Sequence, residues 1–180
     1  MTKINFYRAL LFILLGFNLT STYAWDHSVE LGAGKYHDPN NVHYDNSGLF
    51  LSGDIIGLKR TFWTFWSLTG ALGQWQSTAP ENKNLTTAAL SLALRFYPFN
   101  IADQFPAYLL GSVGPAYLSS RKFGTNTQAS NLTIQTNLGL GAEFNQYDIN
   151  LRLVHFSNAN LGNPNEGFNF LFMLSLGYLF

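Results

Sequence analysis

Large apolar residues recur at every second position through most of this chain. The clearest run closes it. Phe168, Phe170, Phe172, Leu174, Leu176, Tyr178 and Phe180 share one parity, and Asn169, Leu171, Met173, Ser175, Gly177 and Leu179 the other. Likewise Leu90, Leu92, Leu94 and Phe96 alternate with Ser91, Ala93 and Arg95, and Leu132, Ile134, Leu138 and Leu140 with Thr133, Gln135, Asn137 and Gly139. A period of two puts the sets on opposite faces of a β-strand. The pattern predicts eight strands, over Ser28–Tyr36, Gly48–Leu58, Phe62–Trp75, Leu85–Phe99, Ala107–Ser119, Asn131–Phe144, Ile149–Ser157 and Phe168–Phe180. A soluble barrel would turn the large residues inward. Here the inward set is small and polar, which suits a barrel with lipid outside. The expected fold is all-β, an eight-stranded antiparallel transmembrane β-barrel of the bacterial outer membrane.

The connections agree. Asp38–Asn46, Ser77–Asn84, Arg121–Ser130 and Asn158–Gly167 are long and polar, and they alternate with short links at Lys59–Thr61, Asn100–Gln104 and Asn145–Asp148. Outer-membrane barrels have long extracellular loops and short periplasmic turns. With both termini in the periplasm, the seventh strand runs outward and ends on His155 and Ser157. The inward face carries Glu30, Arg95, Glu143 and Arg152. Interiors of eight-stranded barrels are filled by side chains, so a solute pore is excluded and these charges need partners. Glu143 and Arg152, on neighbouring strands, are expected to pair.

Residues 1–24 read as a signal peptide. Lys3 and Arg8 are followed by the apolar run Ala9–Phe17, and Thr22-Tyr23-Ala24 offers a cleavage site. Residues 25–180 then form the barrel domain. Charged residues make up only 11% of the chain, against about 25% in soluble domains. The formal net charge of zero argues against nucleic acid. With no cysteine there is neither a disulfide nor a thiolate metal site. No cofactor or metal is expected. A homodimer is compatible with the sequence, which does not decide the point.

The candidate chemistry lies in His155-Phe156-Ser157-Asn158-Ala159-Asn160, followed by Pro164-Asn165-Glu166-Gly167. His155 and Ser157 are two apart and share one strand face with Ile149, Leu151 and Leu153. Polar groups facing hydrocarbon are costly, and ionisable ones there are candidates for function. From the strand pattern alone two readings stand: a base–nucleophile pair acting on lipid, or an interfacial histidine and serine solvated by water.

This motif, with the signal peptide, about 150 mature residues and eight strands, resembles the PagL-type lipid A 3-O-deacylases. The resemblance implies hydrolysis of the ester at the 3-position of lipid A, in the outer leaflet, without a cofactor. It implies Ser157 as nucleophile and His155 as general base. Asn158 matches a critical asparagine; its amide, or the N–H groups of Ala159 and Asn160, would stabilise the oxyanion. The family places a glutamate two residues after the glycine of the turn, and here that residue is Asn169. Either Asn169 orients the histidine by its carbonyl, or Glu166 reaches back, or the acid is missing. Straight alternation turns Asn169 inward unless a bulge near Gly167 resets the register. Lys35, Lys83, Arg121 and Lys122 are candidates for lipid A phosphates; Pro164 and Gly167 shape the loop. Expected partners are lipopolysaccharide and outer-membrane lipids. The competing readings are a non-catalytic structural or adhesive barrel, and a different lipid-modifying acyl enzyme.

Overall fold

Every alternating segment forms a strand. The structure is a computed structural model and describes residues 27–37, 44–101 and 105–180. The signal-peptide reading of residues 1–24 lies outside the described residues, as do 38–43 and 102–104. The strands are β1 (Ser28–His37), β2 (Asp45–Arg60), β3 (Thr64–Ser77), β4 (Asn84–Ile101), β5 (Phe105–Leu118), β6 (Lys122–Phe123), β7 (Asn126–Thr127), β8 (Leu132–Phe144), β9 (Tyr147–Ser157) and β10 (Phe168–Leu179). Eight of them close an antiparallel barrel in the order β1-β10-β9-β8-β5-β4-β3-β2. The expected all-β, eight-stranded architecture is the one observed. The short pair β6–β7 forms a hairpin of its own inside Arg121–Ser130, which the sequence reading takes as plain polar loop. Gly124, at φ +59°, makes its turn.

Side chains alternate across the wall. Leu31, Leu72, Leu90, Leu109, Leu138 and Leu176 are among the many large apolar residues exposed outward. At the end with the short turns, Phe62, Trp63, Phe99, Tyr147 and Tyr178 add exposed aromatic rings. An apolar belt with an aromatic girdle is what a bilayer requires of a barrel's outer surface.

The interior has two zones. Toward the short turns it is charged. The guanidinium of Arg95 donates to Glu30 Oε1 at 2.9 Å and lies 3.0 Å from Asp54 Oδ2, while Arg152 pairs with Glu30 Oε2. Ser28 and Ser67 each donate to Asp54 at 2.6 Å. The pairing of Glu143 with Arg152 expected from sequence does not form. Register explains it: Glu143 faces Asp148 near the turn, while Arg152 faces Gly139, several residues further along. Arg152 therefore reaches across the interior to Glu30, and Glu143 accepts from Tyr97 Oη at 2.6 Å instead. Toward the long loops the interior is aromatic. Phe50, Trp75, Phe123, Phe156, Phe168 and Phe170 are buried together with Met173. Trp75 stacks on Phe170 with centroids 3.9 Å apart, and its Nε1 donates to Thr87 Oγ1 at 3.0 Å.

One strand departs from straight alternation. The pairing of β10 with β9 shifts register between Phe170 and Met173. Phe172 sits there at φ +60°. Phe168 and Phe170 consequently point inward while Phe172, Leu174, Leu176 and Tyr178 point outward, so the run read as one face is split between two.

Candidate active site

His155 and Ser157 lie at the loop end of β9. Val154 and Phe156 between and beside them are fully buried in the aromatic zone, so the odd-numbered residues face the outer wall. Across the sheet His155 faces Thr136 on β8 and Asn169 on β10, and Ser157 faces Ile134. The bulge at Phe172 brings Asn169 onto this wall. It performs the reset that the sequence places near Gly167, but further along the strand. Asn169 Oδ1 lies 2.6 Å from His155 Nδ1.

A second residue of the same stretch fixes the ring. A β-carbon at Gly167 would fall 2.6 Å from His155 Cε1. The backbone of Gly167 is thus the wall behind the imidazole, and only glycine leaves space for it. The imidazole is bounded on two sides by residues 167 and 169 of one chain segment. Ser157 Oγ makes no hydrogen bond to His155 among the described residues. Residues two apart along a strand are separated by roughly 6.6 Å, a gap that an imidazole partly spans. Catalytic hydrogen bonds of this kind are often long before substrate binds.

The loop following Ser157 is held by asparagines. The amide of Asn158 donates to Gly162 O at 2.8 Å and Pro164 O at 3.4 Å, and its Oδ1 accepts the Asn160 N–H at 3.1 Å. Its own N–H donates to Asn165 Oδ1 at 2.9 Å, and Asn165 in turn donates to Asn160 Oδ1 at 2.8 Å. Of the three oxyanion donors considered from sequence, the Asn158 amide and the Asn160 N–H are thus engaged within the loop. The Ala159 N–H has no hydrogen-bond partner among the described residues. Ala159 and Asn160 take φ of +52° and +62°, which turns the chain sharply just beyond Ser157.

Glu166 is turned away from His155. Its Oε2 accepts the Thr127 N–H at 2.6 Å, and its own N–H donates to Thr127 O at 3.1 Å. Among the candidate cations, Lys35 pairs with Asp45 at 2.6 Å, and Arg121 donates to Ala129 O at 3.3 Å. Lys83, Arg121 and Lys122 are exposed. The roles of Gly167 and of the β6–β7 hairpin are not evident in the sequence. The one available signal was Phe123, a lone large apolar residue in a polar loop, beside a glycine.

The family model of the lipid A 3-O-deacylases (PagL) matches residues 45–178. The chain belongs to this family. The PagL match spans seven of the eight barrel strands, β1 lying before it, and includes His155, Ser157, Asn158, Glu166 and Asn169. A curated relative, the lipid A deacylase PagL of Pseudomonas aeruginosa, is 30% identical over 80 residues, which are 44% of this chain and 46% of that protein. The alignment thus spans less than half the length of the curated relative. The crystal structure of the outer membrane enzyme PagL superposes with a TM-score of 0.61 over 84% of this chain and 98% of that one, at 16% identity, which establishes the shared fold. Membership of the PagL family, the shared barrel and the apolar outer wall make this an outer-membrane β-barrel.

Proposed function

We propose that the protein is a lipid A 3-O-deacylase of the serine esterase type, cutting the ester-linked 3-hydroxyacyl chain at the 3-position in the outer leaflet. The observation that carries this reading is the 2.6 Å contact between Asn169 Oδ1 and His155 Nδ1, on a lipid-facing wall that also presents Ser157. A carbonyl oxygen accepts only from a protonated Nδ1. The tautomer so selected leaves Nε2 as an acceptor, the state a general base needs. Asn169 then holds the histidine as an asparagine does in papain-like enzymes.

Ser157 Oγ attacks the acyl carbonyl carbon while His155 Nε2 takes the hydroxyl proton. The tetrahedral oxyanion is met by the Ala159 N–H in the turn after Ser157. Collapse breaks the ester C–O bond, and His155 returns the proton to the departing sugar hydroxyl. Water, deprotonated by the same nitrogen, then hydrolyses the acyl-enzyme, releasing a 3-hydroxy fatty acid and restoring Ser157. Asn169 is the third member of this set, and the hydrogen bonds of Glu166 to the neighbouring loop argue against Glu166 in that role. Exposed cations at the loop end suit the phosphates of lipid A.

The test is expression in a lipopolysaccharide-making host with mass spectrometry of lipid A. Loss of one ester-linked 3-hydroxyacyl chain, absent with Ser157→Ala, is the expected result. Unchanged lipid A from a folded wild-type barrel in the outer membrane would overturn the reading in favour of a non-catalytic barrel.

A further inference from the structure

The loop hairpin β6–β7 makes no hydrogen bond to His155 or Ser157 among the described residues, yet it contacts the segment that bounds His155 at consecutive positions. Gln128 and Asn165 form an isolated antiparallel bridge. Thr127 exchanges two hydrogen bonds with Glu166, at 2.6 and 3.1 Å. The side chain of Gln128 donates to Glu166 O, and Asn126 Nδ2 donates to Gly167 O at 2.9 Å. Under this polar seam Phe123 packs on Phe168 and Phe170, with centroids 5.9 and 5.6 Å apart. Gln128 and Phe123 are both fully buried. The segment so held is the one whose Gly167 backs the imidazole and whose Asn169 accepts from it.

We infer that the β6–β7 hairpin is a clamp that positions the general base, with Asn126 and Glu166 as positioning residues acting through Gly167 and Asn169. This rests on the assignment of His155 as the base activating Ser157. In the clamp Glu166 needs only an acceptor oxygen for the Thr127 N–H; a negative charge is not required. That separates it from a triad acid, whose charge would matter to the imidazolium. Asn126 needs its amide donor, because a carboxylate in its place would face the Gly167 carbonyl and push it away. Displacement of a catalytic group by about 1 Å is enough to cost on the order of a hundredfold in rate.

The experiment compares Asn126→Asp, Glu166→Ala and Glu166→Gln with the wild-type barrel in detergent micelles containing lipopolysaccharide. It measures kcat and KM for deacylation and, separately, the rate at which a fluorophosphonate labels Ser157. The clamp predicts that Asn126→Asp and Glu166→Ala lower kcat and labelling together by about ten- to a hundredfold at nearly constant KM. Glu166→Gln should retain wild-type rates within about twofold. The clamp is overturned if both disruptive variants stay within about twofold of wild type, or if Glu166→Gln loses as much as Glu166→Ala. Should Asn126→Asp fail to reach the folded barrel, the two Glu166 variants decide alone. Labelling does not depend on lipid A: a wild type that labels at Ser157 but leaves lipid A intact refutes the substrate while the clamp is still tested.

Discussion

Gly167 and His155 are in contact at the one point where a side chain at 167 could not fit, since its β-carbon would lie 2.6 Å from the imidazole Cε1. The ring must yield if that space is filled, because the opposing atoms at 167 are backbone. Gly167→Ala should therefore lower kcat by about a hundredfold while the barrel still folds. The check is deacylation kinetics beside heat-modifiable mobility on gels. An alanine variant with wild-type kcat would show that the imidazole is not held there.

Asn169 supplies a neutral acceptor where the resemblance leads one to expect a glutamate. Asn169→Ala should reduce kcat by about ten- to a hundredfold through loss of tautomer and orientation. Asn169→Glu should raise kcat by about tenfold, because a bond to an ionised acceptor is stronger by about 1.4 kcal/mol. Steady-state kinetics on purified lipopolysaccharide separates these outcomes, and a glutamate variant weaker than wild type would count against Asn169 as the orienting group.

The bulge at Phe172 offsets Asn169 from the alternation of the rest of β10. Three steps of β10 from Phe170 to Met173 stand against two of β9 from Val154 to Arg152, so deleting Phe172 removes the extra residue and leaves Asn169 opposite His155 in straight alternation. Activity should stay within about tenfold of wild type, with barrel formation retained. The readout is lipid A mass spectrometry with a gel-shift assay for folding. A folded deletion barrel that leaves lipid A intact would show that the site needs the bulge itself and not only the facing of Asn169.

The interior charges make a separate prediction about stability. Glu30 faces both Arg95 and Arg152, each almost wholly buried. Glu30→Gln leaves Arg152 without an ionic partner among the described residues and should cost about 3–5 kcal/mol of barrel stability. Glu143→Gln, which keeps an acceptor for Tyr97, should cost less than about 1 kcal/mol. Urea titration of the folded-barrel gel mobility compares the two. Equal losses would restore the Glu143–Arg152 pairing that the sequence suggested.

Barrel, strand number and the outward parity of His155 and Ser157 are all legible in the sequence, because each depends on a period of two. What escaped depends on interactions the period does not encode. The bulge rests on one residue at positive φ, and Phe172 is neither glycine nor asparagine, so nothing marks it. Arg152 finds Glu30 across the barrel at a separation of 122 residues, where adjacency in sequence suggested Glu143. The sequence does not separate Glu166 from Asn169 as partners of His155, because the contact that engages Glu166 comes from Thr127, 39 residues away on the neighbouring hairpin.

The packed rings of Trp75, Phe156 and Phe170 fill the barrel directly behind Ser157. No product can drain through the lumen, so both halves of any ester opened there are released sideways into the leaflet that supplied it. Encounter and release take place in a plane. The quantity governing turnover is then the number of substrate molecules per unit of membrane area around the barrel, with bulk concentration entering only through how densely that surface is filled.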